Sequence, residues 1–275
     1  LELTHRNKIG EVGYNLKGIA TVTRQKYLTA SEKGPWANSY DRWRNDNLTN
    51  RYQGVQFGYT SAGRYTSWND IWNYYGFKER DVLPGDYKYE DWNGDGEING
   101  QDEHPFAFDQ TPWLQFSLNA GLQWKNFDFN MLLQGSALGS MEYKEPLHEI
   151  WGKNGGGALT QFLDRWHPVD PKADPYDPST VWTSGHYAYT GRWAKNNSAF
   201  NRVSTAYLRL KSIELGYTFP KLKQIPNASL RVYANAYNLL TFTGVKFVDP
   251  EHPDDDLGRM YPLNKTYTLG VSLSF

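Results

Sequence analysis

Tyr267-Thr-Leu-Gly-Val-Ser-Leu-Ser-Phe275 decides between two kinds of sheet. Tyr267, Leu269, Val271, Leu273 and Phe275 fall on one face, and Thr268, Gly270, Ser272 and Ser274 on the other, as the two-residue side-chain period of a strand requires. A soluble sheet turns such an apolar face to its core. A strand of roughly 9 to 11 residues that ends on an interfacial aromatic is also the unit of a transmembrane barrel.

Composition leaves both folds open. The 275 residues are enough for one large domain or two small ones. Mean hydropathy is −0.72 and apolar residues make up 39%, so no run of about 18 apolar residues exists and a helical membrane protein is excluded. A β-barrel escapes that test, because alternate residues of its strands face a polar interior and its outer loops are long and hydrophilic. Aromatics reach 16%, with 11 Trp and 20 Tyr. They fit girdles at a membrane interface or stacking platforms for sugars or peptides, and on composition alone an aromatic-rich sandwich core fits equally well. The net charge of −1 gives no support for a nucleic-acid partner. Without Cys there is no disulfide framework and no thiolate metal site, which fits a secreted or envelope protein stabilised by a closed sheet. Leu1 to Lys8 lacks the apolar segment of a signal peptide, so the chain reads as the later part of something longer.

Alternation predicts six strands separated by very unequal loops. Glu11 to Leu28 reads as one long strand, with Ile19 alone among the apolar residues on its polar face. Leu114 to Trp124 and Phe127 to Leu133 form a hairpin about Lys125-Asn126, with aromatics flanking the turn. Tyr207 to Phe219 and Ser229 to Leu240 are joined through Pro220 and a linker over Lys221 to Asn227, and the terminal strand is the sixth. The turns at Lys125-Asn126 and Pro220 to Asn227 then share a rim with Phe275. The long segments Thr29 to Thr111, Gly135 to Thr205 and Thr241 to Lys265 all lie at the other rim. Short turns on one rim and long loops on the other is the outer-membrane arrangement. Six strands cannot close a barrel, and open edges are not tolerated in lipid, so a larger barrel is expected.

The long loops carry Trp36, Trp43, Trp68, Trp72, Trp151, Trp166, Trp182 and Trp193, too much aromatic surface for a solvated coil. Short helices are expected over Ser67 to Phe77 and over Gly157 to Trp166, the latter with Leu159, Phe162, Leu163 and Trp166 on one side. Asp91-Trp-Asn-Gly-Asp-Gly-Glu-Ile-Asn-Gly-Gln-Asp102 places oxygen side chains at positions 1, 3, 5, 9 and 12 of a loop with Gly at 6, as a calcium loop does. The expected ligands of Ca2+ or Mg2+ are the side chains of Asp91, Asn93, Asp95 and Asp102 and the carbonyl of Glu97. A tight Asx and glycine turn with no ion is the competing reading. Asp102 stands where a calcium loop has a bidentate Glu, which weakens the site. No catalytic constellation is present: the His residues at 5, 104, 148, 167, 186 and 252 are scattered, and no His-Glu-x-x-His, Gly-x-Ser-x-Gly or phosphate-cradling loop occurs. The chain is therefore not read as an enzyme; a glycosidase with two carboxylates ranks last, because 30 Asp plus Glu single out no pair. Asp254 to Asp256 reads as a solvated loop run.

Four segments together resemble one family. They are Pro84 to Ile98, Tyr207 to Pro220, Leu230 to Thr243, and Tyr261-Pro through Phe275. In that order they are similar to the late barrel region of SusC-like (RagA-like) TonB-dependent transporters of the Bacteroidota outer membrane. The resemblance runs from about Val12 onward, most firmly after Pro84; Thr29 to Arg51 and Tyr143 to Asn201 match no pattern. It implies an all-β fold: residues 1–275 would be the C-terminal part of a 22-stranded antiparallel transmembrane barrel, without the plug domain or the TonB-contacting segment. It further implies import of an oligosaccharide or oligopeptide with energy from TonB. A SusD-like surface lipoprotein would cap the barrel, in a dimer of transporter–lipoprotein pairs. Tyr267, Leu269, Val271, Leu273 and Phe275 would be the signal read by the barrel-assembly machinery. The alternative is a secreted, calcium-stabilised β-sandwich that binds glycan through its aromatics. The two differ in where the apolar faces point, outward into lipid or inward against a second sheet. The substrate and its contact residues are not legible.

Overall fold

The computed structural model describes residues 1–29, 35–46, 49–74, 82–144, 147–148, 158–191, 194–195, 197–220, 228–251 and 260–274. Among them, seven strands form one antiparallel sheet in chain order: β1 (Glu2–Ile9), β2 (Val12–Val22), β3 (Leu114–Trp124), β4 (Phe127–Ala137), β5 (Tyr207–Thr218), β6 (Ser229–Thr243) and β7 (Thr266–Ser274). One strand more than the alternation predicts is present. In β1, His5 and Asn7 stand on the face of Leu3 and Ile9, which hides the apolar period. The strand predicted to Leu28 ends at Val22, and Lys26 beyond it bridges Tyr52 among the loops.

Opposed residues of an antiparallel pair share a face, so register fixes which way each side chain points. One row runs Ile9, Val12, Trp124, Phe127, Tyr217, Val232, Val271, and the next Tyr14, Leu122, Phe129, Leu215, Ala234, Leu269. The alternate rows are Gly13, Gln123, Asp128, Gly216, Tyr233, Gly270 and Asn15, Gly121, Asn130, Glu214, Asn235, Thr268. One face is apolar and the other polar across the sheet. Ile19 lies on the polar face opposite Ser117, as the alternation predicts.

Among the described residues, no second sheet covers the apolar face. Leu122, Leu215 and Leu269 are 41%, 53% and 85% exposed. This overturns the sandwich alternative, whose core would have to lie there. The buried apolar clusters sit in the loops instead, around Met141, Tyr143, Leu147 and Val245 and around Tyr65, Ile71 and Val82.

The rims differ as expected. Gly10-Glu11 and Lys125-Asn126 make two-residue turns, with φ of 58° at Gly10 and 53° at Lys125. The β5–β6 connection lies at this same rim, and its linker 221–227 falls outside the described residues. Ser274 pairs with Ser229 there. The long connections after β2, β4 and β6 leave from the other rim. At the short-turn rim the outward aromatics touch in series: Trp124 to Phe127 at 6.0 Å, Phe127 to Tyr217 at 4.7 Å, and Tyr217 to Phe219 at 4.9 Å between ring centres.

The register shifts between Leu210 and Ser212 against both neighbours. Lys211 is an extra residue relative to β4, and β6 adds one of its own beside Asn238, at φ 53°. The bulge keeps Leu208 and Leu210 on the same face as Ile213 and Leu215 although the count between them is odd. On the polar face Arg231 reaches across Gly216: Nε lies 3.1 Å from Asp128 Oδ1 and Nη2 lies 2.7 Å from Glu214 Oε1, with a second bond to Asp128. A Cβ at Gly216 would stand 2.4 Å from Nη2 of Arg231 and 2.6 Å from Oδ1 of Asp128.

Of the two expected helices, the first forms at Trp68–Asn73 behind the N-cap Ser67; residues 75–77 of the expected span lie outside the described set. The second shrinks to one 3-10 turn at Thr160–Leu163. Its residues do not share a buried side: Phe162 is buried, whereas Leu163 is 76% exposed. A single tight turn has too few residues to present a face.

Gly216→Val is expected to dislodge Arg231 and lower stability by about 2 kcal/mol, the scale of losing hydrogen bonds between partly buried charged groups. Gly18→Val, where an added Cβ meets nothing within 4 Å, is expected to have little effect. Denaturant unfolding of both variants, followed by loss of strand signal, checks the contrast; equal midpoints would count against it.

Candidate functional site

Where the long connections meet the sheet, Arg209 of β5 points to the polar face and is 1% exposed. A buried guanidinium must be fully paired. Its Nε lies 3.0 Å from Thr241 Oγ1, Nη1 2.7 Å from Glu251 Oε2 and Nη2 2.5 Å from Asp249 Oδ2. The Tyr207 hydroxyl donates to the other Glu251 oxygen at 2.7 Å. Two carboxylates from the chain after β6 are thus locked onto the wall. Beside them opens a concavity of roughly 620 Å³, lined in part by Ile19, Gln115, Leu132, Gln134, Tyr207 and Glu251. Ser136 Oγ and Thr205 Oγ1 at its border are buried with no hydrogen-bond partner among the described residues. With Glu251 neutralised by Arg209, the lining offers amides and hydroxyls, which suits a neutral polar occupant.

The Asp91–Asp102 segment closes on itself. Asp91 accepts from the N–H of Gly94 and of Gly96, both at 2.7 Å, and Asn93 and Asp95 accept from the N–H two residues on, at 3.0 and 2.8 Å. Asp102 is fully buried and accepts from Trp92 at 3.0 Å and Asn99 at 2.7 Å, the latter completing a capping box. Asn99, at position 9 of the loop pattern, thus caps the turn that carries Asp102, its Oδ1 accepting from Gln101 N–H at 2.8 Å. Desolvation pushes the Asp91 carboxyl up, but the N–H groups of Gly96, Gly94 and Asp95 together with Asp102 outweigh it and hold the group below the usual carboxylate range. Burial pushes Asp102 up, against the N–H groups of Asn99, Asn93 and Trp92, and the Asp91 charge adds to the rise. Asp91, Asn93 and Asp95 present hard oxygens suited to Ca2+ or Mg2+, while both Asp102 oxygens are occupied by backbone N–H. Among the described residues no three His, Cys, Asp or Glu side chains are grouped as metal ligands. Glu97 contributes its N–H to Asp95. The loop is tied to its surroundings by rings: Trp92 stacks between Trp43 at 5.6 Å and His104 at 5.0 Å.

On β7, Tyr267, Leu269, Val271 and Leu273 all lie on the apolar face, opposite Ala236, Ala234, Val232 and Leu230. Phe275 falls outside the described residues, as do Asp254 to Asp256, His252, Trp151 and Trp193. Arg209, Asp249, Glu251 and the Arg231 group escape motif reading. For Arg209, and for Arg231 with Asp128 and Glu214, the one signal in sequence is a charge on the polar face of an alternating strand, which marks a paired site; Asp249 and Glu251 lie beyond the strand and carry no such signal.

No protein-family model matches the chain. It is 28% identical over 211 residues to TonB-dependent receptor P3 of Formosa agariphila, covering 71% of this chain and 19% of that protein. Over 239 residues it is 27% identical to TonB-dependent receptor P26 of the same organism, covering 82% and 22%. To TonB-dependent receptor SusC of Bacteroides thetaiotaomicron it is 26% identical over 210 residues, covering 75% and 19%. The chain therefore spans about a fifth of the length of these relatives. Among solved structures, the RagAB peptide transporter superposes with a TM-score of 0.62 at 17% identity, covering 100% of this chain and 28% of that one. The RagAB peptide importer in its closed-closed state gives 0.58, with 29% of that chain covered. By sequence the chain is similar to TonB-dependent receptors, SusC among them, and its antiparallel fold is similar to part of the RagAB transporter.

Proposed function

We propose that the chain is the C-terminal part of the wall of an outer-membrane importer that takes up an oligosaccharide or oligopeptide with energy from TonB. A SusD-like lipoprotein would cover the loop side, in a dimer of such pairs. The observation that carries this is a seven-stranded sheet whose apolar face is covered by no other described part of the protein. In water that face is an aggregation surface; against lipid it is the stable arrangement. Eleven residues of β3 at about 3.4 Å each, tilted as barrel strands are, span on the order of 25 Å, the height of the apolar band of outer-membrane barrels. The aromatic series at the short-turn rim supplies an interfacial girdle. The relatives named as TonB-dependent receptors and the RagAB structures supply the class of activity. The terminal strand, with Phe275, would also be the segment read by the barrel-assembly machinery.

Ile213→Arg, at mid-height on the apolar face, should destabilise the whole barrel in lipid by about 2–4 kcal/mol, while Ser212→Arg on the polar face changes stability little. Unfolding in vesicles measures both, and equal effects would argue against lipid contact. Affinity purification from outer membranes should bring down a surface lipoprotein, and removal of TonB should abolish uptake; uptake unchanged without TonB would overturn the import reading.

For the Asp91 loop the proposal is a bound Ca2+ that rigidifies the loop. Its support is the way the side-chain oxygens of Asp91, Asn93 and Asp95 are fixed on one tight turn by the N–H groups they accept from. Tb3+ added to the metal-free protein is expected to luminesce when Trp92 is excited. Asp95→Asn should weaken that binding several-fold, and a signal unaffected by Asp91→Asn with Asp95→Asn would exclude the site.

A further inference from the structure

The loop layer holds a second cleft of roughly 380 Å³, lined in part by Thr66, Trp68, Pro84, Trp166, Thr180 and Trp182. Each indole is held by a local device. Trp68 opens the short helix capped by Ser67, whose Oγ accepts from Asp70 N at 3.2 Å. Trp166 lies flat against Gly85, at φ 95°, where a Cβ would come within 2.4 Å of the indole Cγ, so only glycine admits it. Trp182 pairs with Pro168, and Val169 continues that ladder by donating to the Val181 carbonyl at 2.9 Å. Between these strands come three Asp-Pro steps. Asp170, Asp174 and Asp177 each accept from the N–H two residues on, at 2.9, 2.9 and 2.8 Å. Asx turns and fixed proline φ angles stiffen the segment, and its Tyr176 ring packs 6.3 Å from Trp68.

Three features restrict its occupant. Every described side chain lining it is neutral. Apart from the indole N–H groups, its polar side chains are hydroxyls, which both donate and accept. The N–H groups of Trp68 and Trp182 are buried with no acceptor among the described residues, a state that favours a ligand bringing acceptors. We propose that this cleft binds a neutral pyranose ring of an oligosaccharide. Indole faces cover the apolar C–H face of the ring, and the hydroxyls and indole N–H groups meet its oxygen rim as the loops settle on it. A charged peptide terminus or side chain would lose its hydration here without a counter-ion. The proposal rests on the import reading for the source of its ligand, and assigns to it a substrate class and a capture point in the loops rather than on the wall.

The test uses the whole transporter purified in detergent with its partner. It is titrated calorimetrically with neutral gluco-, galacto-, manno- and xylo-configured oligosaccharides and with neutral alanine and glycine peptides. At least one sugar series should bind. Trp182→Ala should weaken that binding by about tenfold or more, and Trp182→Phe by clearly less, with denaturant midpoints unchanged. No sugar binding, peptide binding alone, or sugar affinity unaltered by Trp182→Ala would overturn the site. Uptake by cells separates this from the import reading. If wild-type cells take up no more of the bound sugar than cells without the protein, import fails while the cleft stands.

Discussion

Register is the constraint on which everything else depends. With a side-chain period of two, a slip of one residue in any ladder would turn lipid-type and lumen-type residues over together. The shift at Leu210/Ser212 shows how tightly this is held. The extra residue at Lys211, and its counterpart near Asn238, bring Leu208, Leu210, Ile213 and Leu215 to one face. The same bookkeeping sends Arg209 and Arg231 inward, where each finds two carboxylates.

Those two arginines act at opposite heights of the wall. Arg231 binds strand to strand across Gly216, so it reinforces the sheet itself. Arg209 binds strand to loop through Asp249 and Glu251, so it sets where the chain after β6 begins. A sheet with lipid on one side and water on the other has no apolar core of its own. The compact clusters of the molecule form instead in the loops, around Met141, Ile71 and Phe162.

What was legible in the sequence follows from this division. Six of the seven strands, the faces of their residues and the two unlike rims follow from alternation, because the membrane-type wall demands it at every position. β1 escaped, since His5 and Asn7 interrupt its outward row, and the end of β2 escaped, since the alternation continues past Val22 into residues that no longer pair. The helix at Trp68–Asn73 was visible through Ser67, whereas the apolar spacing near Phe162 overstated a single turn. In the Asp91 loop the spacing revealed the convergence of carboxylates, but not that Asp102 turns both oxygens to the backbone. Arg209 and its partners lie more than thirty residues apart, and no local pattern encodes that meeting.

The aromatic content, ambiguous as composition, divides by location. Trp124, Phe127, Tyr217 and Phe219 form one chain of contacts at the short-turn rim, outward and partly exposed, where amphipathic rings suit an interface. Trp43, Trp92 and His104 stack within the loops and serve packing. Trp68, Trp166 and Trp182 pack locally and also border open space, and two of their N–H groups lack a partner among the described residues. Packing alone leaves such donors unexplained, because a core tryptophan ordinarily finds an acceptor. A wall built on a two-residue alternation has little freedom to vary, which is why the proposed sugar site draws its rings from the loops.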